Sequence, residues 1–431
     1  MENFNSRGCA KKIKTIEELK EKLINLREHE CFCIDERLLS FLTNLGLNFE
    51  EPQYDDLKKL KFLGLFLTSK SPFKVCTHYF VGAGWLVEGE IPIRIFPKDR
   101  NGKIPDYLKM YLKLLEDEEI ITNTEFQNVF KVDIEKPLIE VKEEDKRFLY
   151  LVVFAYLSLL KRLVKKGLKK GFLYKEQNLN GRIKGKLDIK LTTQRFFSKT
   201  KYTRTVCKFE TLTENILENQ ILKTALIQAE KFLKEFPFKG EDINYLIGYL
   251  KKAFWRVSTV KVYEKDFLKV KKSPFFPEYR NALKLAQIIL KNLGIDPFLS
   301  FKGISYITPY IINMPKLFEL YVWKKLKEKY GADVKYQVQK GGDIPDFIVN
   351  EHNLIVDAKY KYLDLKKVSK EDICQIARYG RNIDIRKLVS YNEDLEPELC
   401  IAYPTFEENE KKEQLKDYFK FFKLGVKIPF N

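Results

Sequence analysis

Two short apolar segments near the C-terminus each carry an acid: Pro345-Asp346-Phe347-Ile348-Val349 and Leu354-Ile355-Val356-Asp357-Ala358-Lys359. Between them lies Asn350-Glu351-His352-Asn353, a connection rich in turn formers. If it closes a hairpin with Val349 opposite Leu354, Asp346 falls directly opposite Asp357. Lys359 then shares their face, because side chains alternate along a strand. Carboxylates so placed lie about 5 Å apart at Cβ and repel one another. A divalent cation between them removes the repulsion, and hard oxygen donors with phosphate and water suit Mg²⁺ or Mn²⁺. Lys359 can orient an attacking water and offset charge on a five-coordinate phosphorus. The chemistry indicated is phosphodiester hydrolysis. A register slip of one residue would dissolve it, and two surface aspartates with Lys359 in an ordinary ion pair are the plainer alternative.

These residues need elements to hold them. Residues 315–329 have a helical pattern and include Glu319, a third acid that could complete a metal shell. Residues 334–339 and 399–403 have strand character. Ser369 followed by Glu371 and Asp372 signals a helix start. On that helix Gln375 and Tyr379 stand four apart, hence on one face, from which both could reach the substrate backbone.

Upstream, the spacing of apolar residues over 16–26 predicts a helix. Phe80-Val-Gly-Ala-Gly-Trp-Leu86 and Ile91-Pro-Ile-Arg-Ile-Phe-Pro-Lys98 predict a twisted hairpin with Ile91, Ile93 and Ile95 facing a core. Residues 148–160 form an apolar run between Arg147 and Lys161, too short to span a bilayer and suited to a buried helix. Residues 213–232 predict a long amphipathic helix with Thr213 as its N-cap. Arg182, Lys184 and Lys186 alternate in Asn180-Gly-Arg-Ile-Lys-Gly-Lys-Leu-Asp-Ile189, an extended stretch. Their stripe could track DNA phosphates or be the solvated face of an edge strand.

The 431 residues carry a net charge of +18, distributed unevenly. Residues 1–140 hold 21 basic and 24 acidic side chains, residues 141–310 hold 35 and 16, and residues 311–431 hold 22 and 20. The excess in the middle favours a polyanion such as nucleic acid, with a generally lysine-rich surface as the alternative. No apolar leader and no membrane span are evident, and the absence of GxxxxGK[ST] argues against nucleotide hydrolysis by that loop. Seven scattered cysteines without CxxC lead us to expect reduced cytoplasmic thiols. The His29, Cys31 and Cys33 group makes a poor zinc site, and an iron–sulfur cluster lacks its thiolates. The expected architecture is α+β and multidomain. It comprises a β-containing N-terminal domain (1–140), a mainly helical basic middle region (141–310) and a C-terminal domain (311–431) built on a mixed sheet flanked by helices.

The order helix, three strands with PD…DAK, helix, strand resembles the PD-(D/E)xK nuclease core, and Gln375-Ile-Ala-Arg-Tyr379 resembles the QxxxY of its RecB-related branch. Together with Phe80-Val-Gly-Ala-Gly, Ile93-Arg-Ile-Phe-Pro-Lys98, Gly181-Arg-Ile-Lys-Gly-Lys-Leu-Asp-Ile189, Glu214-Asn-Ile-Leu-Glu-Asn219, Leu317-Phe-Glu319 and Asp357-Ala-Lys-Tyr360, the set resembles the McrC family, nuclease subunits of McrBC modification-dependent restriction systems. The resemblance runs intermittently from about residue 80 to 403, and residues 1–70 match nothing in it. It implies an Mg²⁺-dependent endonuclease acting on methylcytosine-containing double-stranded DNA, in complex with a hexameric AAA+ GTPase, McrB-like, that recognises the modified base. The N-terminal region would engage that ring and stimulate its hydrolysis, and the C-terminal domain would cut. Carried over by position, Asp346 and Asp357 would bind metal and Lys359 would serve the water, with Glu319, Gln375 and Tyr379 in support. Two other readings stand beside it: a self-sufficient PD-(D/E)xK repair or CRISPR-associated nuclease, and an inactive DNA-binding adaptor.

Overall fold

The computed structural model describes residues 8–20, 24–47, 57–59, 63–68, 73–141, 146–234, 241–270, 277–293, 305–361, 368–389, 395–407 and 412–430. The chain is α+β and divides into two compact units, one of Met1–Leu151 with Phe298–Asn431 and the other of Val152–Pro297. Among the described residues no helix is long and apolar enough to cross a membrane.

Among the described residues the first unit contains two five-stranded sheets, one of six strands and a two-stranded pair of Ile139–Val141 with Ser305–Ile307. One five-stranded sheet runs in the order Ile24–Arg27, Ile91–Phe96, Phe80–Val87, Tyr310–Asn313, Phe130–Val132. The expected hairpin is its centre, with a bulge between Trp85 and Val87, and Ile91, Ile93 and Ile95 are at most 1% exposed. Gly82 explains the glycine of Phe80-Val-Gly-Ala-Gly. Its φ is +152°, and a Cβ there would stand 2.1 Å from the Tyr310 carbonyl oxygen, so only glycine allows the neighbouring strand this close.

Residues 16–26 do not make one helix. Ile16–Lys20 is helical, residues 21–23 lie outside the described residues, and Ile24–Arg27 is a strand parallel to Ile91–Phe96. The apolar spacing serves either structure, and pairing of Ile24 with Ile93 and of Leu26 with Ile95 in a buried sheet decides it.

The other five-stranded sheet corrects the expectation of reduced thiols. Cys31 is the register partner of Cys76 and is disulfide-bonded to it, and Cys9 is bonded to Cys33. Strand pairing brings together cysteines 24 and 45 residues apart, which sequence spacing does not reveal. Cys207, Cys374 and Cys400 are free.

In the second unit, the helix that begins at Lys146 ends at Lys166, and the helices Leu217–Leu233, Glu241–Ala253 and Pro277–Leu293 follow. The region is nevertheless not purely helical, because Gly171–Asn180 and Arg204–Thr213 pair antiparallel over ten residues and Lys186–Leu187 joins them. Thr213 ends a strand instead of capping a helix; its hydroxyl accepts from the Asn215 N–H at 3.1 Å, and the helix starts at Leu217. Arg182, Lys184 and Lys186 are exposed, but Gly181 (φ +65°) and Gly185 (φ +68°) turn the chain, so only Lys186 lies in a strand and no common strand face forms.

The segment Glu214-Asn-Ile-Leu-Glu-Asn219 anchors a buried polar network. Asn219 donates to the carbonyls of Lys169 and Glu214, and its Oδ1 accepts from the Tyr279 hydroxyl at 2.8 Å. Tyr279 in turn accepts from the Lys169 N–H, while Lys169 Nζ meets Glu218 at 2.7 Å. Every group named has a partner, as burial requires.

Candidate active site

The six-stranded sheet has the order Val334–Tyr336, Phe347–Val349, Leu354–Ala358, Glu398–Thr405, Phe421–Lys427, Lys412–Gln414. Its first three strands are antiparallel, and Leu354–Ala358, Glu398–Thr405 and Phe421–Lys427 run parallel. The parallel connection from Ala358 to Glu398 includes helices Lys370–Arg381 and Ile383–Val389. Residues Leu354 to Asp357 are all buried, as expected of a strand covered on both faces.

Val349 pairs with Leu354 and Phe347 with Val356, which is the register expected from the four-residue turn. One step further along it, Asp346 faces Asp357. The regular ladder stops there, and the Asp346 side chain takes over: its Oδ2 accepts from the Ala358 N–H at 2.8 Å, while the Asp346 carbonyl accepts from the Gln337 N–H at 2.9 Å.

Asp357 is 1% exposed, and Lys359 Nζ lies 2.7 Å from its Oδ2. Lys359 stays attached to the sheet through its N–H, which donates to Ala402 O at 2.9 Å.

Glu319 lies on the helix Met314–Tyr330, capped by Asn313. Its Oε1 accepts from Tyr336 Oη and Gln337 Nε2, each at 2.7 Å, and Lys316 Nζ is 2.9 Å from Oε2. Its negative charge nonetheless reaches the hairpin and helps to raise the pKa of both aspartates.

Burial pushes the Asp346 carboxyl well above the carboxylate range, and Asp357 and Glu319 push the same way against the Ala358 N–H. Asp357 is also raised, again chiefly by burial, with Lys359 opposing. Burial alone would lower the Lys359 ammonium, but Asp357 and Asp346 outweigh it and the net shift is upward. Lys359 is therefore charged at neutral pH.

Gln375 and Tyr379 share a helix face, with Gln375 Nε2 donating to Tyr379 Oη at 2.9 Å. Tyr379 is 4% exposed and packs in an apolar cluster with Ile348, Ile355 and Ile401. Ser369 caps this helix as expected, accepting from the Asp372 N–H. Asp372 itself was not singled out as a site residue. It is buried, holds Lys361 at 3.0 Å, accepts from Tyr403 Oη at 3.5 Å, and its charge raises the pKa of Asp357. The only trace of it in sequence is its place in the cap pattern. The exposed Arg182, Lys184 and Lys186 belong to the other unit.

Among the described residues no three acids, histidines or cysteines converge as a finished metal cage. The hairpin alone still has the character a hard divalent cation needs: two buried carboxyls, Asp346 and Asp357, that resist simultaneous ionisation.

The profile of a family described as McrBC 5-methylcytosine restriction system component matches residues 78–389. Among solved structures, a chain of the half-complex of Thermococcus gammatolerans McrB AAA+ hexamers with bound McrC is 15% identical, with 94% of each chain covered and a TM-score of 0.39. A chain of the Thermococcus gammatolerans McrBC complex is 14% identical, with 71% of this chain and 87% of that chain covered and a TM-score of 0.31. No curated protein matches.

Proposed function

The chain belongs to the McrBC family of restriction-system components, and from that premise we propose that it is the DNA-cleaving, McrC-like subunit of such a system. In this reading it hydrolyses phosphodiester bonds of 5-methylcytosine-containing DNA. It does so together with an AAA+ GTPase, McrB-like, whose hydrolysis it stimulates. The observation that carries the reading is the Asp346 carboxylate bonded to the Ala358 N–H, next to the buried Asp357, with Lys359 ion-paired to Asp357. The sheet order and flanking helices support a PD-(D/E)xK core.

Asp346 and Asp357 would hold Mg²⁺ or Mn²⁺, with Glu319 as a third acid near the hairpin. Bound there, the cation supplies Lewis-acid polarisation of the scissile phosphate. Lys359 remains an ammonium beside these carboxylates, so it donates to the attacking water or a phosphate oxygen and does not take the water's proton. Its charge offsets the negative charge gathering on phosphorus. Tyr379, bonded to Gln375, packs with Ile348 and Ile355, which alternate onto the same sheet face as Asp346 and Asp357. Arg182, Lys184 and Lys186 are assigned to DNA phosphate contact on charge and exposure, residues 1–140 to partner engagement and residues 311–431 to cutting.

The test is cleavage of long methylated DNA with Mg²⁺ by wild type and Lys359→Ala, each with and without the AAA+ GTPase and GTP. Cutting that needs partner and GTP and vanishes in the variant supports the proposal. Cutting by wild type without the partner identifies a self-sufficient nuclease. Equal cutting by Lys359→Ala overturns the site.

A further inference from the structure

The residue after the candidate catalytic lysine is neither exposed nor part of the acid cluster. Tyr360 is 5% exposed, and its ring lies between Phe318 (centroids 5.9 Å apart) and Tyr79 (6.1 Å). Its hydroxyl reaches Glu28 Oε2 at 3.4 Å, across 332 residues of sequence. Phe318 immediately precedes Glu319, whereas Tyr79 and Glu28 belong to the N-terminal part of the unit.

The Tyr79 segment is itself latched at several points. The Tyr79 carbonyl accepts from the Met314 N–H at 3.1 Å, at the start of the helix that carries Glu319. Two residues earlier, the Thr77 hydroxyl donates to Arg27 O at 2.6 Å and accepts from the Glu30 N–H at 3.0 Å, closing the turn that contains Glu28. One short stretch of the N-terminal region thus touches both elements that hold the candidate site: the Glu319 helix through Met314, and the Asp357–Lys359 strand through Tyr360.

We infer that Tyr360 is a positioning residue, wedged between Tyr79, Phe318 and Glu28 so that the N-terminal sheet fixes where Lys359 stands relative to Asp346 and Asp357. The inference rests on the nuclease reading above and deepens it, making the hairpin's working geometry dependent on the N-terminal region. Past the strand Leu354–Ala358, the Lys359 N–H bonds Ala402 O, and the Lys361 N–H folds back onto Lys359 O at 2.8 Å. Beyond this bond to Ala402 O, Tyr360 is a buried anchor at this end. A shift of about 1 Å in a reacting group can cost 10²-fold in rate.

The experiment uses the full chain with its AAA+ GTPase, GTP, Mg²⁺ and methylated duplex DNA, comparing wild type with Tyr360→Leu, Tyr360→Phe, Tyr79→Leu and Lys359→Ala. Tyr360→Leu is expected to lower the maximal cleavage rate about 10- to 100-fold. The DNA concentration for half-saturation and the stimulation of GTP hydrolysis should stay within about twofold of wild type. Tyr360→Phe keeps the ring and should restore cutting to within about threefold, and Tyr79→Leu should reproduce part of the loss in maximal rate. Should Tyr360→Leu lose GTPase stimulation through misfolding, Tyr79→Leu and Tyr360→Phe decide the matter. Wild-type cutting by both leucine variants, a Phe variant as impaired as Leu, or a loss confined to half-saturation overturns the inference. An inactive Lys359→Ala alongside a fully active Tyr360→Leu sinks this inference alone, whereas an active Lys359→Ala removes the nuclease reading beneath it.

Discussion

Asp346 Oδ2 and the Ala358 N–H are joined at 2.8 Å, so the first acid of the hairpin is fastened to the backbone of the strand that carries the second. The bond occupies one carboxylate oxygen and points the side chain across the pair. It does not offset burial, Asp357 and Glu319, which together raise the pKa of the group. A carboxyl whose folded pKa exceeds its unfolded value costs stability as pH rises above the unfolded value. The site is thus held at the expense of the fold in the metal-free protein.

Asp346→Asn should therefore separate stability from activity. Without divalent cation the variant is expected to be more stable than wild type by on the order of 1 kcal/mol, because a repelling charge is gone. Cleavage should fall at least about 10³-fold, a few kcal/mol of transition-state stabilisation. Differential scanning fluorimetry in EDTA, paired with a cleavage assay, checks both, and a clear fall in Tm contradicts the electrostatic account.

Glu28 gives a pH dependence of known sign. Burial pushes its carboxyl up to about 8, against weaker lowering by the Lys98 N–H and Tyr360, and its Oε1 has no hydrogen-bond partner among the described residues. The group folds neutral, so its contribution is fully retained below about 4.5, erodes as pH rises and levels off above about 8. Glu28→Gln should match wild type near pH 4 and exceed it by ~3 kcal/mol at pH 7. Parallel urea titrations from pH 4 to 9 measure the gap, and a difference that is flat with pH rules this explanation out.

The two disulfides predict a thiol count. Denatured without reductant, the chain should present the three free thiols of Cys207, Cys374 and Cys400, and after reduction all seven. Cys31→Ser should lower stability by about 2–4 kcal/mol. Seven reactive thiols before reduction would show that the cross-links do not form.

In the helical unit, Tyr279→Phe removes the acceptor of the Lys169 N–H and the donor to Asn219 Oδ1 while keeping the ring. A loss of about 1–3 kcal/mol is expected. Asn219→Ala, which also strips donors from two carbonyls, should cost more; the reverse order in chemical denaturation argues against the network.

The hairpin was legible because a four-residue turn of Asn-Glu-His-Asn between two apolar runs leaves little freedom in register, and register alone sets Asp346 against Asp357. The Ser369 cap was legible for a similar reason, being a local pattern with a local cause. Tyr360 stood in the motif Asp357-Ala-Lys-Tyr360 and Asp372 in the cap pattern, but their contacts with Glu28 and Tyr403 were not legible, because those partners come together only through the fold. The strands Gly171–Asn180 and Arg204–Thr213 escaped because Phe172, Leu173 and Tyr174 are all exposed, so no inside–outside alternation marks the first of them. Cys31 and Cys76 were hidden in the same way, since only strand pairing makes them neighbours.

The strand Tyr310–Asn313 sits between Phe80–Val87 and Phe130–Val132 and bonds to both. Phe130–Val132 has no other partner in its sheet, so on the ribosome it must wait for Tyr310 to be made. The interval is about 180 residues, or roughly 10 to 35 s at synthesis rates of about 5–20 residues per second. For that time the Phe80–Val87 edge stands open in the nascent chain, a natural substrate for a chaperone. Translation speed across residues 133–309 should therefore govern how much of the newly made protein reaches its native form.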